Sequence, residues 1–562
     1  MTPPQLRLNE LLCQLSTSDS ANKHEIERKF LLSSLPGLEN AVEYKIEQHY
    51  LITEHEREVR IRHENDEFFI TEKLGAGIDR IERETKITKS DFELLLGLSK
   101  ANINKRRYKI DIQGITAYVD TYLDRFMGLN TMEIEFPSMD KSLELNVQPW
   151  FGTEVTNAPG YKNVNLALNG IPKKLHLEFY DKSSGLREVK GHLERMLAAA
   201  EKPVIVMVAG GSASGKTTAI AKGMREMFPD SSVVISMDDY YRGSKYILDN
   251  ALNFDEPRAI DIDLLKSQLK DLSEGKHVMK PNYSFKTGER EGFSEILPGK
   301  LIIVEGLFAL SSELDGAGDL KIFVDTDSHG RLLRKLFRDV ERVSWSPTHT
   351  LEYSLSTVEP MYKKYIKPTE ENADITIYNE YRPDIETQAL RSWEKQVKFR
   401  VSEESDMQKN IILLGAEHIA TLQQDDNYYV PKESEFASDD EILRVRRENN
   451  RYYMTYKGPR LNGSMERPKF EFEINCKIEH ELISKLYSVS KRISKTREVY
   501  SLNGTIFTLD DVYIIGGAEK KHVGKFVEIR LPKKREDSQI EGLLTALRVQ
   551  PSEKINLSYY VM

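Results

Sequence analysis

Apolar and charged residues alternate through the first third of the chain. Glu25-Ile-Glu-Arg-Lys-Phe-Leu-Leu32 sets Glu25, Glu27 and Lys29 on one side of an extended segment, because strand side chains repeat every two residues. The period recurs in Val59-Arg60-Ile61-Arg62, around Lys73, in Arg80-Ile-Glu-Arg-Glu84 and Lys105-Arg-Arg107, and again in Tyr118-Val-Asp120 and Glu133-Ile-Glu135. These segments predict antiparallel strands. Leucines at helical spacing over 183–203 predict a helix. The middle of the chain changes character. Pro203-Val-Ile-Val-Met-Val-Ala209 is too short for a helix and rich in valine, which reads as a strand buried on both faces. Val233–Met237, Leu301–Val304 and Lys321–Val324 repeat that signal between helix-compatible stretches, as a parallel sheet requires. From about Asp384 the alternation returns, in the order of the first third.

With 562 residues the chain exceeds one hydrophobic core. A net charge of -9 with 30% charged residues argues against a general nucleic-acid or membrane surface. Cys13 and Cys476 are the two cysteines, so neither a disulfide framework nor a Cys-based metal site is expected. No apolar run approaches the roughly 20 residues that cross a bilayer. Residues 1–22 lack the apolar core of a signal peptide and read as a short helix or loose tail. A cytoplasmic location is expected.

The chemistry starts where the first buried strand ends. Gly210-Gly-Ser-Ala-Ser-Gly215-Lys216-Thr217 stands between that strand and a helix-compatible segment, the context a phosphate-binding loop needs. Its glycines let backbone N–H groups turn inward around a phosphate at a helix N-terminus. Gly210, Gly211, Ser212, Ala213, Ser214, Gly215, Lys216, Thr217 and Thr218 are therefore expected to bind ATP. Lys216 reaches the outer phosphates and the Thr217 hydroxyl ligates Mg²⁺. Asp238 ends the next strand, where a carboxylate can accept a proton from an attacking hydroxyl. Glu305 ends the third and is the expected Mg²⁺-side carboxylate. Arg331, Arg334, Arg338 and Arg342 recur three to four apart, as on a solvated helix face or on a lid that neutralises a transferring phosphoryl group.

For any one of the charged strands, charges facing water and Ile or Val facing a core is the ordinary explanation. As a set they also suit the inside of a closed barrel, with arginines forked onto phosphate oxygens and carboxylates holding Mg²⁺ or Mn²⁺. Glu25-x-Glu27-x-Lys29, Arg60-x-Arg62, Arg80-x-Glu82-x-Glu84 and Glu133-x-Glu135 resemble the CYTH family, or triphosphate tunnel metalloenzymes, over residues 23–172. Trp150-Phe-Gly-Thr-Glu-Val-Thr156 and Tyr161-Lys-Asn-Val-Asn-Leu-Ala167 resemble the tail of bacterial members. The resemblance implies Glu25, Glu27, Glu82, Glu84, Glu133 and Glu135 as metal ligands. It implies Lys29, Arg60, Arg62, Lys73, Arg80, Lys105 and Arg107 as triphosphate ligands. Family members hydrolyse triphosphate, polyphosphate or thiamine triphosphate, or cyclise ATP.

Residues 201–383 resemble the uridine kinase/phosphoribulokinase family. The matching pieces are the phosphate loop, Ser236-Met-Asp238, Asn253-Phe-Asp255, Glu305-Gly306, Asp325-Thr-Asp327-x-x-x-Arg331 and Pro368-Thr-x-x-x-Ala-Asp374. That implies Asp238 as general base, Asp255 on an acceptor sugar, Tyr283 on its ring and Arg331, Arg334 and Arg338 in the lid. The chain departs from the family at Gly288, where a base-reading histidine is expected. The combination is similar to a plant type of kinase–CYTH fusion that behaves as a phosphohydrolase.

Leu443-Arg-Val-Arg446, Met454-Thr-Tyr-Lys-Gly-Pro459, Lys469-Phe-Glu-Phe-Glu473, Lys495-Thr-Arg497 and Leu509-Asp-Asp-Val512 resemble a second CYTH copy. Its opening strand has Gln396 for the middle carboxylate, and Glu528-Ile-Arg530 has an arginine for Glu135. Those changes move the tunnel charge by about three units, with Glu471, Glu473, Asp511 and Glu528 remaining, which predicts a degenerate copy. The expected fold class is multidomain α/β and α+β, a central P-loop domain with a parallel sheet flanked by two antiparallel β-barrel tunnels. The expected domains are a tail (1–22), a first tunnel (23–172), a linker helix (173–200), a kinase (201–383) and a second tunnel (384–562). The expected activity is ATP-dependent phosphoryl transfer to a nucleoside-like acceptor, fused to a metal-dependent tunnel for a triphosphate. The rivals are a triphosphate or pyrophosphate hydrolase with a repurposed kinase site, and a kinase regulated by barrels that sense polyphosphate or a nucleotide. Partners are a nucleoside triphosphate and a nucleoside-like or polyphosphate substrate, and a homo-oligomer is compatible with the sequence.

Overall fold

A computed structural model describes residues 2–549 apart from 18–22, 33, 39–40, 55–56, 75–78, 113, 146, 180–183, 343–344, 380–391, 394–395, 403–405, 434–435, 437–440, 459–467, 477, 479–482, 517–518 and 531–537. The chain divides into two compact units, residues 1–325 with 365–379, and 326–364 with 380–562. The alternating first third forms eight strands: β1 (Lys23–Leu31), β2 (Val42–Glu54), β3 (Arg57–Glu64), β4 (Glu67–Leu74), β5 (Asp79–Lys86), β6 (Ala101–Ile112), β7 (Ile115–Tyr122) and β8 (Asn130–Phe136). They close into a barrel in the order β1-β5-β4-β3-β2-β6-β7-β8. Closure works because β1 serves two neighbours, β5 through residues 23–26 and β8 through residues 26–31. The apolar alternates, Val59, Ile61 and Ile70 among them, point outward. They are covered by the helix Pro3–Thr17, whose Leu8, Leu11 and Leu15 join them, and by Phe92 and Leu95. Of the two readings of this stretch, short helix or loose tail, residues 3–17 take the helix, docked and fastened by Arg7 on Asp91 at 2.7 Å.

The same unit holds a six-stranded parallel sheet. Its strands are β9 (Leu175–Phe179), β10 (Val204–Gly210), β11 (Ser232–Ser236), β14 (Leu301–Glu305), β15 (Leu320–Asp325) and β16 (Ile375–Asn379), in the order β11-β14-β10-β15-β16-β9. Between β11 and β14 a hairpin, β12 (Val278–Ser284) with β13 (Glu289–Ile296), stands as its own two-stranded sheet. All seven residues of β10 are buried, as its near-continuous apolar run requires of a central strand. The stretch 173–200, read as a linker helix, is more than that. It contributes the edge strand β9 and a helix, Ser184–Ala199, whose Leu186, Val189 and Leu193 share one core with β10, β14 and β15. Val155 and Ala158, from the tail of the barrel, enter the same core.

In the second unit β17 (Ser392–Trp393), β18 (Gln396–Val401), β19 (Glu417–Pro431), β20 (Ile442–Glu448), β21 (Arg451–Lys457), β22 (Pro468–Ile474), β23 (Tyr487–Leu502), β24 (Thr505–Gly516) and β25 (Glu519–Arg530) form one antiparallel sheet. Its two edges, β17 on β22 and β18 on β25, are consecutive pieces of chain. The sheet therefore curls as the first barrel does, with residues 392–401 in the place of β1. Residues 326–364 belong to this unit: the helix Ser328–Arg342 sets Leu332, Leu333, Leu336 and Phe337 against Leu443, Val445, Met454, Tyr456 and Phe470. Among the described residues no helix is long and apolar enough to cross a membrane.

Candidate functional site

Alternation dictates what the first barrel holds inside. With the apolar residues of β3 and β4 outward, the intervening charges face one open cavity of about 810 Å³, solvent mouth included. Glu27, Lys29, Glu58, Arg60, Arg62, Lys73, Lys105, Arg107, Glu133 and Glu135 line it, with Gln48 and, from the tail, Thr156, Lys162 and Asn163. Glu58 was missed in the sequence, although Glu58-x-Arg60-x-Arg62 shares the face of the two arginines. Asn163 was missed as well: it lies far along the chain, and its Oδ1 accepts from Tyr122 at 2.5 Å and from Lys29 at 3.1 Å.

The charges are heavily cross-paired. Arg107 forks onto Asp120 with two bonds of 2.7 Å and also contacts Glu133, while Lys105 reaches Asp120 at 2.5 Å. Lys29 pairs with Glu133 at 3.0 Å. Arg62 takes Glu84 at 3.0 Å, and Lys73 and Arg60 take Glu82 at 3.4 and 3.7 Å. Burial presses the Glu133 carboxyl toward protonation, but Lys29, Arg107 and Lys105 outweigh it and hold the group well below the usual carboxylate range. Burial also pushes the Lys105 ammonium down, to about 8, with Arg107 adding to the effect. The Nε atoms of Arg60 and Arg62 are buried without a hydrogen-bond partner, which is what arginines positioned for an anion show.

Glu82, Glu84 and Glu133 are engaged by the lysines and arginines just named. Glu27 and Glu135 stand directly opposite each other on β1 and β8, and both reach the cavity. The side chains of Glu25 and Arg80 lie outside the described residues. Among the described residues no three His, Cys, Asp or Glu side chains gather as a metal cage. Two facing carboxylates nevertheless fit Mg²⁺ or Mn²⁺, since Mg²⁺ is usually held by one or two carboxylates plus substrate phosphates.

The phosphate loop stands at the C-terminal end of β10. Gly210 has φ +154°, and a Cβ there would meet the Val324 carbonyl oxygen at 2.5 Å. Ala213 holds φ +63°, a left-handed conformation rare for a residue with a side chain, and Gly215 holds φ +92° at the start of the helix 216–227. Asn379, at the end of β16, donates to the Ser214 carbonyl at 2.6 Å and braces the loop from a residue the sequence did not single out. The Thr217 hydroxyl donates to Glu305 at 2.8 Å, and Ser236 donates to its other oxygen at 2.6 Å. Thr217 and Glu305 thus meet as an Mg²⁺ pair should. Lys216 has its ammonium 3.5 Å from the Gly211 carbonyl, folded over the loop.

On the acceptor side, Tyr283 packs on Tyr241 at 5.3 Å between ring centroids, and Tyr241 on Phe254 at 5.5 Å, next to the buried Asp255. Burial raises the Tyr283 phenol above its usual value, a hydrogen bond with Ser244 works against this, and the charges of Glu289 and Asp238 add to the rise. Gly288 closes the β12–β13 hairpin at φ +72°, and a Cβ there would collide with Ser244 Oγ. A side chain there would be strained by that φ and would have to displace the Ser244 hydroxyl.

In the second unit Arg331 differs from the expected open lid residue. It is buried, with Nη2 donating to both oxygens of Glu359 at 3.0 and 2.7 Å and its guanidinium 3.7 Å from the Tyr362 ring centroid. Arg338 donates to Asp339 at 2.7 Å, and Arg334 is half-buried. The reason is the apolar stripe of helix 328–342, which turns that helix into the sheet of its own unit.

Strand register aligns the second barrel with the first, position by position. Gln396 faces Arg530 as Glu27 faces Glu135, and Lys398 faces Glu528 as Lys29 faces Glu133. Lys457 stands between Ile442 and Lys469, as Lys73 stands between Glu58 and Glu82. Asp426 faces Arg446 as Gln48 faces Arg62. Arg444, Glu471, Lys495, Arg497 and Asp510 keep the charges of Arg60, Glu84, Lys105, Arg107 and Asp120. Over these positions the first barrel has six cations against seven carboxylates, a balance of -1. The second has eight against four, a balance of +4, so the copies differ by five charges rather than about three. Asp510, fully buried, is the inward aspartate; Asp511 instead pairs outward with His522 at 2.8 Å.

Comparison with known proteins matches residues 205–386 to the phosphoribulokinase/uridine kinase family and residues 394–557 to the CYTH domain. A uridine kinase of Chlamydia pneumoniae is 37% identical over 193 residues, 33% of this chain and 86% of that protein. A uridine kinase of Staphylococcus aureus is 39% identical over 197 residues, 34% of this chain and 95% of that protein. The inorganic pyrophosphatase TTM2 of Arabidopsis thaliana is 30% identical over 311 residues, 55% of this chain and 45% of that protein, so the chain spans less than half of that relative. A solved inorganic triphosphatase is 33% identical and covers 26% of this chain and 95% of its own, with a TM-score of 0.22.

Proposed function

Because the chain belongs to the phosphoribulokinase/uridine kinase family through residues 205–386 and carries a CYTH domain at residues 394–557, we propose that it handles condensed phosphates at two chemically separate sites. In the first barrel, residues 23–172 hydrolyse a triphosphate or pyrophosphate compound with Mg²⁺ or Mn²⁺. The observation that carries this is one cavity uniting Lys29, Arg60, Arg62, Lys73, Lys105 and Arg107 with the facing carboxylates Glu27 and Glu135. The cations grip and align the phosphate chain, and the two buried guanidinium Nε–H groups receive its oxygens. Glu27 and Glu135 would hold the metal, which neutralises phosphate charge when bound. In the P-loop domain the backbone of 210–218 cradles ATP, Lys216 contacts the outer phosphates, and Thr217 with Glu305 holds the Mg²⁺ that accompanies them. Asp238 then takes the proton of an acceptor hydroxyl as it attacks the γ-phosphoryl group. Asp255 and Tyr283 border the acceptor.

One observation favours a second reading, in which the P-loop domain binds ATP without phosphorylating a nucleoside. Gly288 denies the acceptor side a base-reading side chain. The similarity to the pyrophosphatase TTM2 points the same way. Phosphate release and ADP formation by the full chain separate the two. The substrates are tripolyphosphate, pyrophosphate and ATP with each metal, then ATP with a panel of nucleosides and sugars. Release lost in Glu135→Gln and retained in Lys216→Ala, with acceptor-dependent ADP lost in Lys216→Ala, supports both sites. No acceptor-dependent ADP from any member of the panel favours the second reading, and no release from any phosphate compound removes the first.

A further inference from the structure

Outside both proposed sites, two neighbouring residues of the helix Ser184–Ala199 carry three buried polar atoms with no hydrogen-bond partner among the described residues. These are Nε and Nη2 of Arg187 and Oε2 of Glu188. Such groups are rare, because each forfeits the hydration it has in the unfolded chain. For Arg187 the reason is a crowded acceptor. Glu154 receives Arg28 Nε on Oε1 at 2.9 Å and Arg28 Nη2 on Oε2 at 2.6 Å, and the Thr156 hydroxyl donates to Oε1 at 2.8 Å. A carboxylate oxygen has two lone pairs, and both of those on Oε1 are taken. Arg187 Nη2 reaches the same oxygen at 3.3 Å, an ion pair without the geometry of a hydrogen bond. Thr156 itself lines the cavity of the first barrel, where its Oγ1 accepts from the Lys29 backbone N–H at 3.0 Å.

We propose that Thr156 is a two-position donor that links occupancy of the first barrel to the phosphate loop. Its one proton lies on Glu154 in this structure and turns to a phosphate oxygen when the barrel holds a phosphate chain, whereupon Arg187 takes the lone pair that it leaves. The ligand thus distinguishes two arrangements by one hydroxyl bond, and the second satisfies a guanidinium that the first does not. Packing carries the change onward. Leu186, Val189 and Leu193 share one core with Val155 and Ala158 beside Thr156, and with Ile220 and Met224 of the helix 216–227 that starts at the phosphate loop. Leu186 Cδ1 lies 2.3 Å from where a Cβ on Gly223 would stand, so no side chain of Gly223 cushions the contact between the two helices. Asn157 donates to Glu188 at 3.2 Å and Arg195 to the Gly152 carbonyl at 3.1 Å, which ties the segment around Thr156 to the same helix. A close-packed interior transmits such a displacement rather than absorbing it. Binding of a phosphate chain in the first barrel is taken from the function proposed above; neither hydrolysis nor phosphoryl transfer enters the switch.

The test follows hydrogen exchange in the full chain carrying Lys216→Ala, which denies the phosphate loop its own hold on the probe. The probe is tripolyphosphate with Mg²⁺, in excess over what the chain can hydrolyse. Exchange over residues 57–64 reports occupancy of the first barrel, and exchange over 186–193 and 216–227 reports the coupling. Tripolyphosphate is expected to slow exchange in all three segments. Thr156→Ser, which keeps the hydroxyl, should preserve that pattern. Thr156→Val should still protect 57–64, at about three- to tenfold higher tripolyphosphate, and lose the protection of 186–193 and 216–227. Arg187→Gln, at a residue that does not line the cavity, should lose the same two protections and serves if Thr156→Val misfolds. Protection of 57–64 alone in the parent chain, or of all three segments in both Thr156→Val and Arg187→Gln, overturns the switch. No protection of 57–64 in the parent chain overturns the triphosphate reading of the barrel, and the switch with it, so that segment tells the two failures apart.

Discussion

Replacing Glu188 by Gln should stabilise the first unit at alkaline pH and leave it unchanged near pH 4. Glu188 sits on the helix Ser184–Ala199 with 2% of its surface exposed. One carboxylate oxygen accepts from Asn157 at 3.2 Å, and the other has no hydrogen-bond partner. Burial first, and then the neighbouring charge of Glu154, push its carboxyl up to about 8. In the unfolded chain the group titrates near pH 4.3, as a free glutamate does, at about that value. Between those two pH values the folded protein keeps a proton that the unfolded chain has released. Stability therefore falls as pH rises through the window, by about 1.4 kcal/mol per unit, and is flat below and above it. Across the window the loss sums to a ceiling of about 5 kcal/mol. Glutamine keeps the volume and the Asn157 bond and has no proton to lose. Thermal unfolding of the full chain at pH 5 to 9 should show the variant gaining on wild type with every unit, by several degrees at pH 8.5. Parallel pH profiles, or a variant less stable than wild type at pH 8.5, would refute the reasoning.

Three further outcomes are expected. Glu27→Gln or Glu135→Gln should lower Mg²⁺- or Mn²⁺-dependent hydrolysis of tripolyphosphate by about a hundredfold or more, because each removes half of a facing carboxylate pair; unaltered turnover in both variants would place the metal elsewhere. Asp238→Asn should lower acceptor-dependent ATP consumption by about 10²–10⁴ while hydrolysis in the first barrel persists, measured as ADP and phosphate in parallel. Gly288→His should cost about 1–3 kcal/mol through its φ of +72° and the collision with Ser244, and should not create nucleoside phosphorylation; a stable variant with a new nucleoside activity would show that the hairpin yields.

Much of this was legible because period-two alternation fixes a face before it fixes a partner. Arg60, Arg62, Lys73, Lys105 and Arg107 were predicted as one set from spacing and resemblance, and they line one cavity. What spacing cannot tell is which opposite charge each will meet. Glu82, Glu84 and Glu133 were read as metal ligands, and in the folded barrel they meet Lys73, Arg62 and Lys29, a matter of strand order and register that only the folded barrel fixes. Thr217 and Glu305, both read as Mg²⁺ ligands, come within a hydrogen bond of each other because a strand end and a helix start converge wherever a P-loop occurs. Arg331 misled because a row of arginines three to four apart shows the charged stripe of a helix, while the leucines between them decided where it docked. Asn379 and Asn163 act through contacts far along the chain, for which no local pattern exists.

The two barrels also show why a family match and the inward charge can part. The CYTH match falls on residues 394–557, the copy in which Gln396, Ile442, Lys469 and Arg530 stand where the first copy has four glutamates. Both copies need their outward apolar alternates in order to curl a sheet. The inward positions that set the charge are few, and changing four of them leaves strand pairing intact, because register is held by the buried outer face. A duplicated tunnel can thus change its inward charge at little cost in folding. The five-charge difference over these positions is the measure of that change.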